Sequence, residues 1–356
     1  RYGFAMAKRG MSQSILKIDT NAIYNNWQSL DKKSAKNVET AAVIKADAYG
    51  LSTKNIASYL AFKNVKTFFV AIAEEGIEAR KAVGNDADIF VFSGQMENDA
   101  AIIKEYNLIP LLNSADQYHQ FQINSPNQKF GIQLDTGMNR LGMEGIEFSS
   151  LDKNISNACL IMSHLACADE PKHSQNLKQL RTFHHLTDDL KIRKSLSATG
   201  GILLGPEYHF DLCRPGIGLY GGFPYDTALP VIKLSIPVIQ SRTVFAGETV
   251  GYGGQWRAKT DTRVATISAG YADGLIRAIG NGQLLLYHGD VGCPLIGRVS
   301  MDLITVDITQ LDDTPRSLDL INKMQTVDII ANAANTIGYE ILTSLGARYA
   351  REYIKG

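Results

Sequence analysis

The chain has 356 residues, enough for a large barrel and a second domain, with 45% hydrophobic and 20% charged residues, as in an ordinary globular protein. Lys plus Arg (36) balances Asp plus Glu (36), which argues against nucleic acid or an anionic membrane as partner. No apolar run approaches the roughly 20 residues of a membrane span, and the four cysteines, Cys159, Cys167, Cys213 and Cys293, form no CxxC pair, so neither a zinc site nor a disulfide framework is expected and a reducing, cytoplasmic setting fits. The first residues, Arg1 to Gly10, have no signal-peptide core; Met6 and Met11 are the expected native starts.

In chain order, the first strong element is Ala41-Ala42-Val43-Ile44-Lys45-Ala46-Asp47-Ala48-Tyr49-Gly50. Its apolar opening predicts a buried strand ending at a loop, which places Lys45 where a strand leaves the core. Ends of this kind carry the chemistry of α/β folds, although a lone lysine there is more often a snorkelling one. Further apolar runs follow at Phe68–Ile72, Asp88–Phe92, Leu108–Leu112, Phe130–Leu134, Leu160–His164, Ser195–Thr199 and near Leu212. Helical patterns separate them, at Thr53–Phe62, Glu74–Val83, Asp99–Tyr106 and, with Leu177, Leu180, Phe183, Leu186 and Leu190 on one face, Ser174–Leu190. About eight β/α units of this size predict a closed (β/α)8 barrel. Near Pro224–Pro230 the pattern changes to alternating runs with glycine turns, at Val231–Ile239, Arg263–Ser268, Gln283–Tyr287, Met301–Ile308 and Val327–Ala331, all read as strands of a mainly β domain. The expected domains are 12–228 and 229–356, with residues 1–20 packing against the second.

Gly216-Ile217-Gly218-Leu219-Tyr220-Gly221 satisfies GxGxxG, but no helix pattern follows and no acid stands where a dinucleotide site needs one. Its position suggests a different use. On the strand count, Thr199-Gly200-Gly201 and Gly216-Ile217-Gly218 follow the seventh and eighth strands, the loops that bind phosphate in many barrels through backbone N–H groups.

Several separated motifs carry a resemblance across nearly the whole chain. They are Val43–Gly50, Leu134-Asp135-Thr136-Gly137-Met138-Asn139-Arg140-Leu141-Gly142, Ser163-His164-Leu165-Ala166 with Asp169-Glu170, Arg214–Gly221, Gly270-Tyr271-Ala272-Asp273-Gly274 and Gly297-Arg298-Val299-Ser300-Met301-Asp302. Together, in this order, they resemble the alanine racemases. The resemblance implies a pyridoxal-phosphate (PLP) barrel of fold type III with a C-terminal β domain, a homodimer with shared sites, and interconversion of L- and D-alanine by two bases, supplying D-alanine for peptidoglycan. It implies that Lys45 holds PLP as a Schiff base and serves one face of the substrate Cα, while Tyr271 serves the other.

A tyrosine with a pKa near ~10 is a poor base unless cations depress it; by resemblance His164 and Arg214 do so through a hydrogen-bonded relay. Arg214 would face the pyridine nitrogen where many PLP enzymes place an acid, and an arginine does not give up its proton. Arg140 and the Met301 N–H would hold the substrate carboxylate. Tyr49, Thr199, Gly200, Gly216 and Ile217 would hold the phosphate, and Asp169 and Arg298 would restrict the entrance. No metal is implied.

The chain departs from the family pattern in places. Gln133 stands where some members have a carbamylated lysine, so only neutral hydrogen bonds are available there to orient Arg140. Thr199-Gly200 replaces the usual Asn-Ser, and the usual entrance tyrosine falls at Ala347, with Tyr349 nearby. A barrel-type PLP decarboxylase would have an acid in place of Arg214. A PLP-carrying barrel without catalysis would lack residues 230–356 and Tyr271.

Overall fold

The structure, a computed structural model, describes residues 13–151 and 155–355. Met6, Met11 and the expected packing of residues 1–12 lie outside the described residues. The described chain forms two compact units, one from Ala22 to Leu229 and one from the described residues before Ala22 together with those from Pro230 onward.

Within Ala22–Leu229, eight short parallel strands succeed one another. They are Glu39–Thr40 continuing as Ala42–Val43, then Thr67–Val70, Asp88–Val91, Ile109–Leu112, Phe130–Gln133, Ala158–Met162, Lys194–Ser195 and Leu212–Cys213. The first strand pairs with the second through Ala42 and Val43 and with the eighth through Glu39 and Thr40. Between seventh and eighth, the Asp211 and Arg214 N–H groups donate to the Lys194 and Ser197 carbonyls at 3.0 and 2.8 Å, which closes the ring. Helices cover the outside, so strands such as Thr67–Val70 and Ile109–Leu112 are buried throughout and read as continuous apolar runs. Phe68, Phe69, Phe90 and Phe130 are among the largest fully buried side chains.

Two readings of helices need correction. In Ser174–Thr187 the buried face is Asn176, Gln179, Leu180, Phe183 and Thr187, whereas Leu177 is 46% exposed. Leu180, Phe183, Leu186 and Leu190 of the apolar stripe do pack into the core; only Leu177 departs, because at its end this helix turns polar side chains toward loops at the barrel mouth. Val327–Ala331, read as a strand, is part of the helix Val327–Ala333. Val327, Ile330 and Ala331 are buried and Ile329 is exposed, the spacing of a helix, and Asp328 in the first turn suits the helix dipole. A β-branched run favours strand only where period-2 burial is available.

The second unit is mainly β. Its 13-residue strand Ile232–Val244 pairs antiparallel with Thr262–Ile267, Ser317–Ile321 and the N-terminal strand Ile15–Asp19. The chain of pairings from Thr262–Ile267 through Ile304–Asp307, Val291–Ile296, Leu285–His288 and Ser317–Ile321 returns to that long strand and closes a second, smaller ring. Ile304, Val306 and Ile308 point into it, as their alternation predicts. Ile15–Asp19 also pairs in parallel with Ala350–Ile354, joining the two ends of the described chain. Among the described residues no helix is long and apolar enough to cross a membrane.

Candidate active site

Lys45 does not open onto an ordinary loop. The first barrel strand ends at Val43, and Ala46, Asp47, Ala48 and Tyr49 take φ of 53°, 52°, 53° and 56°, a left-handed turn without glycine. Each such residue costs about 1–2 kcal/mol, so the surroundings must hold the turn. The Ala46 N–H donates to Glu75 Oε1 at 2.7 Å, the Ala48 N–H to the Ile44 carbonyl at 2.9 Å, and the Thr53 N–H to Asp47 Oδ1 at 2.6 Å. Tyr49 stacks on Tyr220 with centroids 4.4 Å apart, and the Tyr220 hydroxyl donates back to the Val43 carbonyl at 2.9 Å. The turn thus buries the Tyr49 side chain and leaves Lys45 at the strand end, its Nζ 5.6 Å above the Phe92 ring. Burial first, then Arg140, lowers the Lys45 pKa, against an opposing pull from Glu75.

At the end of the eighth strand lies Arg214, 1% exposed. Its terminal nitrogens donate to the Ser195 hydroxyl, to the Ser163 carbonyl at 2.8 Å and to the Leu196 carbonyl at 3.5 Å, and the guanidinium sits 5.9 Å over Phe69. Nε takes part in none of these bonds. Burial lowers its pKa to about 10, so it stays charged at neutral pH. His164 is pushed down to about 3 by burial, then by Arg214, Arg140 and Lys45, and is neutral. The hydrogen bonds of Arg214 go to serine and backbone oxygens, because a fully buried guanidinium must satisfy its donors within the protein.

The seventh and eighth strands are followed by the short helix Thr199–Leu204 and the 3-10 turn Ile217–Tyr220. Thr199 Oγ1 accepts the Gly216 and Gly218 N–H groups, both at 3.2 Å. A Cβ on Gly216 would fall 2.3 Å from the Tyr49 hydroxyl oxygen, so glycine is what lets that hydroxyl reach the backbone. Thr199, Gly200, Gly216, Ile217 and Tyr49 are all buried around this point.

Arg140 lies on a loop built around Asp135, whose carboxylate accepts the Gly137, Met138 and Arg140 N–H groups at 2.7, 2.9 and 3.2 Å. Gln133 donates to the Leu141 carbonyl at 3.1 Å rather than to anything on the Arg140 side chain, and its buried Oε1 has no partner. It steadies the loop, not the guanidinium, because its short neutral arm is used on the backbone beside it. Sequence reasoning missed Gln179. Fully buried, it donates to the His164 carbonyl at 2.9 Å and to Thr136 Oγ1 at 3.2 Å, and accepts the Ala166 N–H at 2.8 Å. It fastens the strand end carrying His164 to the loop carrying Arg140. Its signal in the sequence is weak: one glutamine beside an apolar stripe.

In the β unit, Tyr271 opens the 3-10 turn Tyr271–Asp273. The Tyr271 N–H donates to the Ser300 carbonyl at 3.0 Å and the Ala272 N–H to the Met301 carbonyl at 2.9 Å, bringing two distant motifs side by side. A Cβ on Gly270 would lie 2.3 Å from both carbonyl oxygens, which explains the glycine before Tyr271. Tyr271 and Met301 are 43% and 53% exposed. Arg298 is half-buried in this unit, and Asp169 is exposed in the barrel unit. Ala347 is exposed, whereas Tyr349 is 3% exposed and its buried hydroxyl has no partner.

Residues 18–224 match the alanine racemase N-terminal domain and residues 231–353 the alanine racemase C-terminal domain. The chain belongs to the alanine racemase family. It is 56% identical over 348 residues to an alanine racemase of Dinoroseobacter shibae, covering 97% of this chain and 99% of that one. Among solved structures, an alanine racemase from Bartonella henselae with covalently bound pyridoxal phosphate superposes with a TM-score of 0.90 at 37% identity, over 96% of this chain and 99% of the other. A biosynthetic alanine racemase from Pseudomonas aeruginosa gives 0.89 at 31% identity, again over 96% and 99%.

Proposed function

We propose that this chain interconverts L- and D-alanine, with PLP carried on Lys45 and each site completed by Tyr271 of the partner subunit. The observation that carries the reading is the company Lys45 keeps: a lowered pKa at a strand end, Arg140, the buried cation Arg214 and a neutral His164. Such a donor set suits a ligand rich in acceptors. Arg214 supplies a donor toward a ring nitrogen, and Tyr49 with the Gly216–Ile217 backbone supplies a cradle that a Cβ on Gly216 would fill. Thr199, Gly200, His164 and Arg140 complete the set expected to hold the cofactor and its substrate.

Bound PLP supplies electron withdrawal that acidifies the substrate Cα–H. Arg214, which keeps its own proton, moderates that withdrawal and so favours return of the proton to Cα over loss of the amine. An acid at the same place would favour the decarboxylase alternative. Lys45, with its lowered pKa, is suited to take or return a proton on one face of Cα. Tyr271 serves the opposite face, and the Met301 N–H and Arg140 hold the carboxylate. Asp169 and Arg298 narrow the entrance to small amino acids.

The exposure of both Tyr271 and Met301 supports a homodimer in which each chain lends these groups to the other, as two-fold symmetry requires. The composition break near Pro224–Pro230 supports a boundary between the expected domains 12–228 and 229–356, with the N-terminal strand Ile15–Asp19 exchanged into the second. The expected setting is the cytoplasm and the expected role is supply of D-alanine for peptidoglycan. Borohydride reduction followed by peptide mapping should place the pyridoxyl group on Lys45, in a preparation that forms D-alanine from L-alanine. A label on another lysine, such as Lys54, or a protein that forms no D-alanine would overturn the reading.

A further inference from the structure

In the β unit, the Arg348 side chain joins the loops of Tyr271 and Met301. Its Nε and one terminal nitrogen donate to the two oxygens of Asp273 at 2.6 and 2.8 Å. Its other terminal nitrogen donates to Asp302 Oδ1 at 2.7 Å. Asp273 stands two residues after Tyr271, and Asp302 directly follows Met301. The Asp273 carboxylate is buried and also accepts the Gly270 N–H at 2.9 Å, while the Asp273 carbonyl accepts the Gly346 N–H at 3.0 Å. A forked, planar cation is what three such bonds in two directions require; a lysine ammonium lacks that geometry.

The arrangement has a purpose beyond stability. Tyr271 and Met301 face outward from their own chain with large exposed areas, so packing within that chain does little to fix them. What fixes them is the backbone pairing between their loops and, from behind, this guanidinium. We propose that Arg348 is a positioning residue that sets the Tyr271 hydroxyl and the Met301 N–H relative to one another, so that the base and the carboxylate contact address one substrate together. The inference rests on the function proposed above and adds a residue to it.

The test uses the dimeric, PLP-loaded protein and three variants: Arg348→Gln, Arg348→Lys and Asp302→Asn. Misplacing a catalytic group by about 1 Å costs up to roughly 100-fold. Arg348→Gln is therefore expected to lower kcat for racemisation by about 10- to 100-fold and to raise KM for alanine, and Arg348→Lys to recover only part. Asp302→Asn takes the charge from the arm to the Met301 loop, leaving only a neutral acceptor, and should raise KM by more than it lowers kcat.

The decisive readout is exchange of the Cα hydrogen in D2O. In Arg348→Gln the enantiomer whose Cα–H faces Lys45 should go on exchanging without inverting, while the other enantiomer slows. A general loss of structure would slow both alike. Parental kcat and KM in Arg348→Gln, or exchange falling equally for both enantiomers, would overturn the inference. If Arg348→Gln fails to fold, Asp302→Asn decides: a KM rise supports the inference and parental constants refute it. A parent protein that does not racemise alanine would sink the proposed function itself, whereas an active parent with an indifferent Arg348 would sink only this step.

Discussion

The two units hold their functional groups by opposite means. In the barrel unit the groups sit at the ends of buried strands, and their polar neighbours are buried too: Arg214 on Ser195 and Ser163, and Gln179 on the strand end of His164. In the β unit Tyr271 and Met301 are exposed, and the order comes from behind, from Gly270, the paired loops and Arg348. The barrel half resembles a finished binding site in its electrostatics, with Lys45 depressed by burial and by Arg140, and a histidine kept neutral. The β half presents its groups outward. The contrast teaches that the first half fixes its groups by burial and the second by backbone pairing and a cation behind them, which is the difference the proposed sharing of sites between chains rests on.

The comparison can be broken first at Arg214, where the largest effect is expected. Arg214→Glu should retain the cofactor, as its absorbance and mass would show, yet lose at least about 100-fold in racemisation and leak more into transamination. Racemisation at the parental rate would refute the role given to a proton-retaining cation.

A middle-sized effect is expected at the cradle. Gly216→Ala puts a methyl against the Tyr49 hydroxyl and should weaken PLP binding about tenfold, measured by equilibrium titration of the apoprotein. Adding Tyr49→Phe removes the crowded oxygen, so the double variant should be better than the sum of the two singles. Strict additivity would show that the contact is unimportant.

The smallest effect sharpens the electrostatic side. His164 has a native pKa of about 3 against an ordinary 6.5. Between those values the unfolded chain takes up a proton that the native one refuses, so stability present above pH 6.5 is lost as pH falls toward 3. Urea denaturation at pH 7.5 and about pH 5.8 should show a drop of about 1 kcal/mol in the parent that shrinks in His164→Asn. An equal drop in both would mean that His164 is not the group refusing the proton.

Much of this was legible because the relevant signals are local. The barrel strands are buried on both faces and bounded by helical patterns, so apolar runs marked them, and counting them put Thr199 and Gly216 in the loops where the structure has them. The left-handed turn after Lys45 was not legible, since Ala46-Asp47-Ala48-Tyr49 contains no glycine and the residues that hold it, Glu75 and Tyr220, are distant in sequence. Val327–Ala331 misled because β-branched residues speak for strands while burial at helical spacing decides. Gln179 and Arg348 escaped for a shared reason: each acts on groups brought near only by the fold, and a polar side chain gives no sequence sign of what it will meet.

The central claim, that the site is assembled from two chains, is tested most directly by complementation. Lys45→Ala and Tyr271→Phe should each be nearly inactive alone. In a mixed dimer one site carries both defects and the other has Lys45 and Tyr271 intact. With even reassortment about half the dimers are mixed and half their sites intact, so roughly a quarter of parental activity should return. Subunit exchange is first verified by mass or by differently tagged chains. With exchange verified, activity that stays at the background of the single variants would contradict the account, because it would mean that Tyr271 serves its own chain.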